Sequence, residues 1–355
     1  MCIRDSTWSD ILAKTLAIAK SLHVMGYEKE DKLSIYSYNR PEWYLLYAAS
    51  QMLNGVAVGV YHTCSPEEVE WVVGNSESKF VFVGSNPQGG DNPEKMPNTR
   101  MDKIMGNLPL IEKAIVLDNS GSMENENAIT WADFLAIGEG IEDSVIKERM
   151  NAVDPNDTCA LIYTSGTTGR PKGVIHTHAS LLAGGANTCS AHHLSNTDRA
   201  LCVLPLCHIN GQVVTVMAPL VSGSSVVMPR KFSSQRFWYW VSKEDCTWFS
   251  VVPTMISYLL GMEEGAQHIT ESQLSHVRFG RSASAPLAPA VHKAFVKRFG
   301  IPIVETMGIT ETAAQILSNP LDPAQQKIGS PGLPCGNEIR IREGCLLYTS
   351  DAADE

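Results

Sequence analysis

The stretch that decides the reading is "CALIYTSGTTGRPKGV", residues 159–174. Its opening "CALIY" is an apolar, β-prone run closing on Tyr163, and the loop that follows is rich in Gly, Thr and Ser and ends on Lys172. A strand that runs into such a loop presents backbone N–H groups to an anion, while hydroxyls and a lysine add donors and positive charge. That combination points to phosphate. The pattern is not G-x-x-x-x-G-K-[ST], because Lys172 follows Pro171 and precedes Gly173, and it is not G-x-G-x-x-G.

On the N-terminal side of this loop, apolar β-rich runs alternate with amphipathic stretches. After "TWSD" the positions Ile11, Leu12, Leu16, Ala19 and Leu22 keep helical spacing as far as Gly26. "KLSIYS" then reads as a strand, "RPEWYLLYAASQML" as a helix with Pro41 in its first turn, and "VAVGV" as a strand. Ser65 and Glu68 form a capping box for the helix "PEEVEWVV", and "KFVFV" is the next strand. Residues 84–106, rich in Gly, Pro and Asn, read as a surface loop, after which "KAIVL" resumes the alternation. On the C-terminal side "ALCVLPL", "SSVVMP", "TWFSVVP", "HVRFG" and "IPIVE" are strand candidates with helical segments between them. Such alternation predicts an α/β fold, a largely parallel sheet covered by helices on both faces.

The two ends read differently. "MCIRDS" and "CLLYTSDAADE" back-translate to strings that are reverse complements over most of their length and resemble the transposon-end adaptor used in sequencing-library preparation. Residues 1–6 and 345–355 are therefore expected to be translated adaptor, leaving 7–344 as natural sequence from a protein that continues beyond both ends. Natural codons in the source nucleotide read would refute that expectation. The formal charge of −10 falls to −7 without the tails, because Asp351, Asp354 and Glu355 are lost while Arg4 and Asp5 cancel. An acidic balance disfavours nucleic acid or an anionic membrane surface as partner. No apolar run approaches the roughly 20 residues of a membrane span. The cysteines form no C-x-x-C pair, and several lie in apolar runs such as "LCVLPLC", the usage expected of a reduced, cytoplasmic protein with buried thiols.

In its order, "YTSGTTGRPKG" resembles the phosphate-binding signature of the adenylate-forming (AMP-binding) superfamily, which includes acyl- and aryl-CoA synthetases, and the resemblance extends over residues 7–344. "LPLCHINGQ" resembles the P-L-x-H-x-x-G segment of CoA ligases, "GRSASAPL" the stretch that passes the adenine, and "ETMGITET" the E-x-Y-G-x-T-E segment. The resemblance implies the layered α/β/α large N-terminal domain of these enzymes, built of two similar subdomains, with the C-terminal domain lying beyond this chain. It implies ATP, Mg2+ and CoA as co-substrates or cofactors, and a small-molecule carboxylic acid as the group activated. Thr164, Ser165, Gly166, Thr167, Thr168, Gly169 and Lys172 would hold the departing phosphates. Ser284, Ala285, Pro286, Glu305, Thr306, Met307 and Gly308 would hold the adenine, with Met307 where the family usually has an aromatic residue. Thr310 would touch the α-phosphate, Glu311 would ligate the metal, and His208 would stand beside the acyl pocket; Lys172, His208, Thr310 and Glu311 are the implied catalytic set.

Other readings of the same residues are weaker. "GRSASA" is part of a G-x-S-x-G nucleophile elbow, but Ser284 stands where the last glycine belongs. The histidines of "HTH" (His176, His178) and "HH" (His192, His193) lack the companions of a zinc site and read as surface or loop residues. The aromatics of "RFWYWVSKEDCTWF" read as core. Amino-acid-activating members of the superfamily carry an Asp where this chain has "PLCHING", which favours an acyl- or aryl-CoA ligase. The first part of the chain looks most like long-chain fatty acyl-CoA synthetases, and residues 200–335 look closer to short- or medium-chain and oxalyl-CoA-type ligases. A fatty acid is the expected substrate, with an aryl or oxalyl-type acid as the alternative. The family's ribose-binding T-G-D and C-terminal catalytic lysine would follow residue 344, so the piece by itself is expected to bind nucleotide without completing the reaction.

Overall fold

In the computed structural model, the described residues are 5–84, 94, 96–118, 123–164, 169–262 and 271–340. They form two seven-stranded sheets. The first takes β1 (Lys32–Tyr36), β2 (Val56–Val60), β3 (Ser78–Val83), β4 (Lys113–Val116), β5 (Ala128–Thr130), β6 (Thr158–Thr164) and β7 (Lys172–Thr177) in the order β5-β4-β3-β1-β2-β6-β7. All its pairings are parallel except the last, β6 with β7. The second takes β8 (Arg199–Cys202), β9 (Ser225–Val227), β10 (Trp248–Val251), β11 (Phe279–Ser282), β12 (Ile303–Ile309), β13 (Ala314–Ser318) and β14 (Leu333–Pro334) in the order β14-β13-β12-β11-β10-β8-β9. Its pairs are parallel from β9 to β12 and antiparallel beyond. Two parallel-rich sheets with helices packed on them are the expected layered α/β architecture.

Both faces of the first sheet are apolar, as its central strands' uninterrupted hydrophobic runs require. Leu33, Ile35, Phe80 and Phe82 face the helices Trp8–Val24, Pro41–Met52 and Trp131–Ile137, where Leu16, Leu22, Leu46 and Phe134 are buried. The alternate residues Tyr36, Val58, Val81 and Val83 face the helices Pro66–Asn75 and Pro97–Ile104 through Val69, Val72 and Met101. The apolar cluster on the first of these faces continues into the second sheet through Leu206, Ile209, Val213, Trp248 and Ala313, so the sheets share one core. The far face of the second sheet packs on Phe237, Trp238 and Phe295, so the aromatic stretch is core except for Tyr239, which is exposed; Trp238 lies edge-on to Phe237 and Phe249.

Local signals hold where they are strong. Thr7 and Ser65 both close capping boxes, Ser65 Oγ accepting from Glu68 N at 3.3 Å while Glu68 Oε2 accepts from Ser65 N at 2.8 Å. Three expectations are corrected. Part of the stretch read as loop, Pro97–Ile104, is a helix that buries Met101 and Ile104. The strand expected at "HVRFG" begins only at Phe279, because Val277 N turns back to Leu274 O and Arg278 N makes the first bond towards β10, at Thr247 O. The strand expected through "ALCVLPL" stops at Cys202, since Leu204 and Leu206 turn their main chains to the side chain of Asn39. All seven cysteines among the described residues are free thiols, and four of them are buried. Among the described residues no helix is long and apolar enough to cross a membrane.

Candidate active site

The decisive loop connects β6 to β7. These strands pair antiparallel, with Thr164 opposite Lys172 and Tyr163 opposite Gly173, so the segment is the tip of a hairpin at the edge of the first sheet. Ser165, Gly166, Thr167 and Thr168 lie outside the described residues. At the far side of the tip, Gly169 has a left-handed φ of 100°, Arg170 stacks over the Trp71 ring at 4.4 Å, and Trp71 Nε1 donates to Pro171 O at 2.9 Å. The base is tied by Tyr163, whose hydroxyl donates to Asn75 Oδ1 at 2.7 Å. Helix Pro66–Asn75 thus holds both ends, and Lys172 is exposed on β7.

Four residues beyond Lys172 along β7, at His176, the hairpin meets the other sheet. Contrary to the expectation of a surface residue, His176 is buried, with Nδ1 at 3.4 Å from Ser180 Oγ. Burial lowers its pKa, opposed by the Thr310 main chain and the Glu311 carboxylate. His192 is buried as well, between Trp248 and Phe279, and burial pushes its pKa down to about 3. Thr310–Thr312 form a short 3-10 turn between β12 and β13; Thr310 is buried and Glu311 exposed. That turn rests on helix His178–His192 at Gly184, where an added methyl would overlap the carbonyl oxygen of Ala313. Only glycine permits so close an approach.

The strand leading to the turn carries the segment read as adenine-binding. Met307 is 44 % exposed, Gly308 faces the Ala314 carbonyl too closely for any Cβ, and Thr306 donates from Oγ1 to Ser282 O at 3.3 Å. Glu305 is committed within the protein: Oε1 is bonded to His292 Nδ1 at 2.9 Å and accepts from Gly329 N at 2.9 Å, while its carbonyl accepts from Asn319 N. Beside it β11 ends at Ser282, and Ser284 takes a left-handed φ of 71° that leaves Ser284, Ala285 and Pro286 exposed at the strand end.

His208 opens a buried π-helix over Asn210–Met217. Its Nδ1 accepts from Asn210 N at 3.1 Å, its ring meets Tyr61 edge-on at 6.5 Å, and burial lowers its pKa, which keeps the imidazole neutral near pH 7. Asn210 links this segment to β11: Nδ2 reaches Ser284 Oγ at 3.5 Å, and Oδ1 accepts from Arg281 Nη1 at 2.9 Å. The structure therefore joins the predicted residues in two groups, Thr164 and Lys172 with Thr310 and Glu311 through β7, and His208 with Ser284 through Asn210.

Asn39, Asn210 and Arg281 were not singled out in the sequence, and His176 was read there as a surface or loop residue. Their partners lie far along the chain, 165 residues away for Asn39 and Leu204, and no local pattern carries that information. Among the described residues no group of three or more His, Cys, Asp or Glu side chains is placed to hold a metal ion. A lone exposed carboxylate such as Glu311 nevertheless fits magnesium, which binds through one or two carboxylates and completes its shell with phosphate oxygens and water.

A family model described as AMP-binding enzyme matches residues 3–346. The sulfoacetate–CoA ligase of Cupriavidus necator is 53% identical over 187 residues, covering 53% of this chain and 36% of that protein. The oxalate–CoA ligase of Arabidopsis thaliana is 29% identical over 320 residues, 89% of this chain and 58% of that protein. The crystal structure of the anthranilate CoA ligase AuaEII with anthranoyl-AMP superimposes with a TM-score of 0.79 at 23% identity, over 94% of this chain and 60% of that one, which shows a shared fold. The chain thus spans less than two thirds of each of these proteins. With its β6–β7 hairpin, its two parallel-rich sheets and a family match along nearly its whole length, the chain belongs to the AMP-binding enzymes, the family of the CoA ligases.

Proposed function

We propose that this chain is the nucleotide- and acid-binding part of an AMP-forming acid–thiol ligase. A carboxylate is a poor electrophile, because its charge is delocalised and its leaving group would be oxide. Attack of its oxygen on the α-phosphorus of ATP expels pyrophosphate and leaves an acyl-adenylate; the thiol of CoA then attacks the carbonyl carbon and AMP departs. Charge management is the main task, since an anion must approach a phosphorus already surrounded by anionic oxygens.

The observation that carries this reading is the meeting of the β6–β7 hairpin with the Thr310–Thr312 turn at His176. Residues from Thr164 to Lys172 would hold the β- and γ-phosphates, and Thr310 the α-phosphate. Glu311 would hold magnesium, whose charge offsets that of the phosphates. Ser284, Ala285 and Pro286 on one strand end and Thr306, Met307 and Gly308 on the next would flank the adenine, with Glu305 fixing that segment from within. His208, neutral and half-buried, would orient the incoming carboxylate by hydrogen bonding without adding charge.

Two acid classes remain in view: a fatty acid, favoured by the resemblance of the first part of the chain, and a short acid, favoured by the sulfoacetate and oxalate in two relatives' names. The test is ATP- and acid-dependent pyrophosphate release by this chain and by the longer protein it belongs to. Replacing Lys172 with Ala is expected to slow release by about tenfold or more, the usual effect of one positioned donor. An unchanged rate contradicts the assignment of the loop. Nucleotide binding without release by the chain alone would make it a binding portion that needs the remainder of its protein.

A further inference from the structure

Arg281 on β11 is 2 % exposed, yet its guanidinium meets only neutral groups. Nε donates to Gln315 Oε1 at 3.0 Å, and Nη1 donates to Asn210 Oδ1 at 2.9 Å and Ser250 Oγ at 3.0 Å. Among the described residues Nη2 donates no hydrogen bond, and no carboxylate forms an ion pair with this side chain. The contrast with another shielded arginine is sharp: Arg40 pairs with both Glu42 and Asp118.

The surroundings are held uncharged as well. Cys335 lies close by, and burial raises its thiol above the ordinary value; His192 is kept neutral by burial and by Arg281 itself. Burial in turn pushes the Arg281 pKa down to about 9, which still leaves the guanidinium charged at neutral pH. An enclosed cation without a counter-ion is among the most costly features a core can contain, and an apolar side chain of similar volume would relieve it. Its presence is accounted for if an anion completes the site when ligand is bound. The planar fork of a guanidinium suits a carboxylate or sulfonate.

Asn210 says where that anion would be. It holds Arg281 Nη1 with Oδ1, reaches Ser284 with Nδ2, and donates its main-chain N–H to His208, so the guanidinium stands two hydrogen bonds from the residue assigned to the acid. We infer that the acid taken by this site carries a second anionic group, a carboxylate or a sulfonate, and that Arg281 is the residue that selects it. This rests on the acid-activating reading above and chooses between its two acid classes. A fatty chain in the same place would press methylenes against an uncompensated cation.

Binding to the purified chain tests it by calorimetry, with and without a non-hydrolysable ATP analogue and magnesium. Malonate, oxalate and sulfoacetate are compared with acetate, butyrate and octanoate. The dianionic acids are expected to bind about tenfold or more tightly than the monoanionic ones, the scale of one charge-assisted hydrogen-bond pair. Arg281→Met should reduce that preference to about twofold or less with nucleotide affinity unchanged, and Arg281→Lys should keep part of it. Octanoate or butyrate binding as well as malonate to the wild-type chain overturns the inference whether or not the variants fold. So does a preference that survives Arg281→Met, or a loss of nucleotide affinity in that variant with every acid alike, which would assign Arg281 to a phosphate. Failure of the analogue to bind at all would instead count against the proposed function, and the acid preference would still be read from the titrations without nucleotide.

Discussion

Asn39 offers the sharpest test of how the two sheets are joined. It follows β1 in the first sheet, is 4 % exposed, and grips the main chain just before His208: Nδ2 donates to Leu204 O at 2.8 Å, and Oδ1 accepts from Leu206 N at 2.9 Å. Leu204 and Leu206 are themselves buried, so truncation to Ala strands one carbonyl and one N–H away from water. At about 1–3 kcal/mol for each buried group left unsatisfied, Asn39→Ala should cost about 2–6 kcal/mol, a large share of a typical net stability of about 5–15 kcal/mol. Urea unfolding reads this as a lower midpoint with an unchanged slope. Asn39→Asp supplies a second, pH-dependent arm. Its carboxylate can still accept from Leu206 but opposes the Leu204 carbonyl, so its folded-state pKa should rise above the unfolded value near 3.9. The bond to Leu204 then contributes below the unfolded pKa and is lost as pH rises through the folded one, so the defect should deepen between about pH 4 and pH 7. A loss below about 0.5 kcal/mol for Asn39→Ala would refute the reasoning, because surface substitutions do as much.

Gly184→Ala should destabilise by about 1–3 kcal/mol through overpacking against the Ala313 carbonyl, even though alanine gains up to about 1 kcal/mol of helix propensity. Urea unfolding of the variant checks the sign, and net stabilisation would mean that the Thr310 turn does not rest on this helix as described. Asp157 accepts from Lys29 Nζ at 2.8 Å and Asn54 Nδ2 at 2.7 Å, which lower its pKa to about 2. Its contribution is present above the unfolded value near 3.9 and lost as pH falls through about 2. Titrating the carboxyl by NMR, and comparing acid unfolding with Asp157→Asn, would expose an ordinary pKa if these contacts were absent.

How much of the fold was legible follows from where each signal resides. The capping box of Ser65 and Glu68, Pro41 at a helix start and the strands "VAVGV" and "KFVFV" are short-range patterns whose causes lie within a few residues, and each appears where expected. "HVRFG" and "ALCVLPL" misled because an apolar run marks burial without saying which main-chain groups are already taken, here by Leu274 and Asn39. The loop between β6 and β7 was legible as a run of donors. That it tops an antiparallel hairpin anchored by Trp71 and Asn75 was not, since those partners lie about a hundred residues away.

The sequence by itself determined the family, the α/β alternation and the run of Gly, Thr, Ser and Lys that follows β6, because these depend on order and periodicity along the chain. Only the tertiary structure decided that His176 lies buried against the Thr310 turn, that Asn39 ties one sheet to the other, and that Arg281 is enclosed among neutral groups. Burial and charge compensation depend on what the folded chain brings alongside a residue, and neighbours in space are not neighbours in sequence.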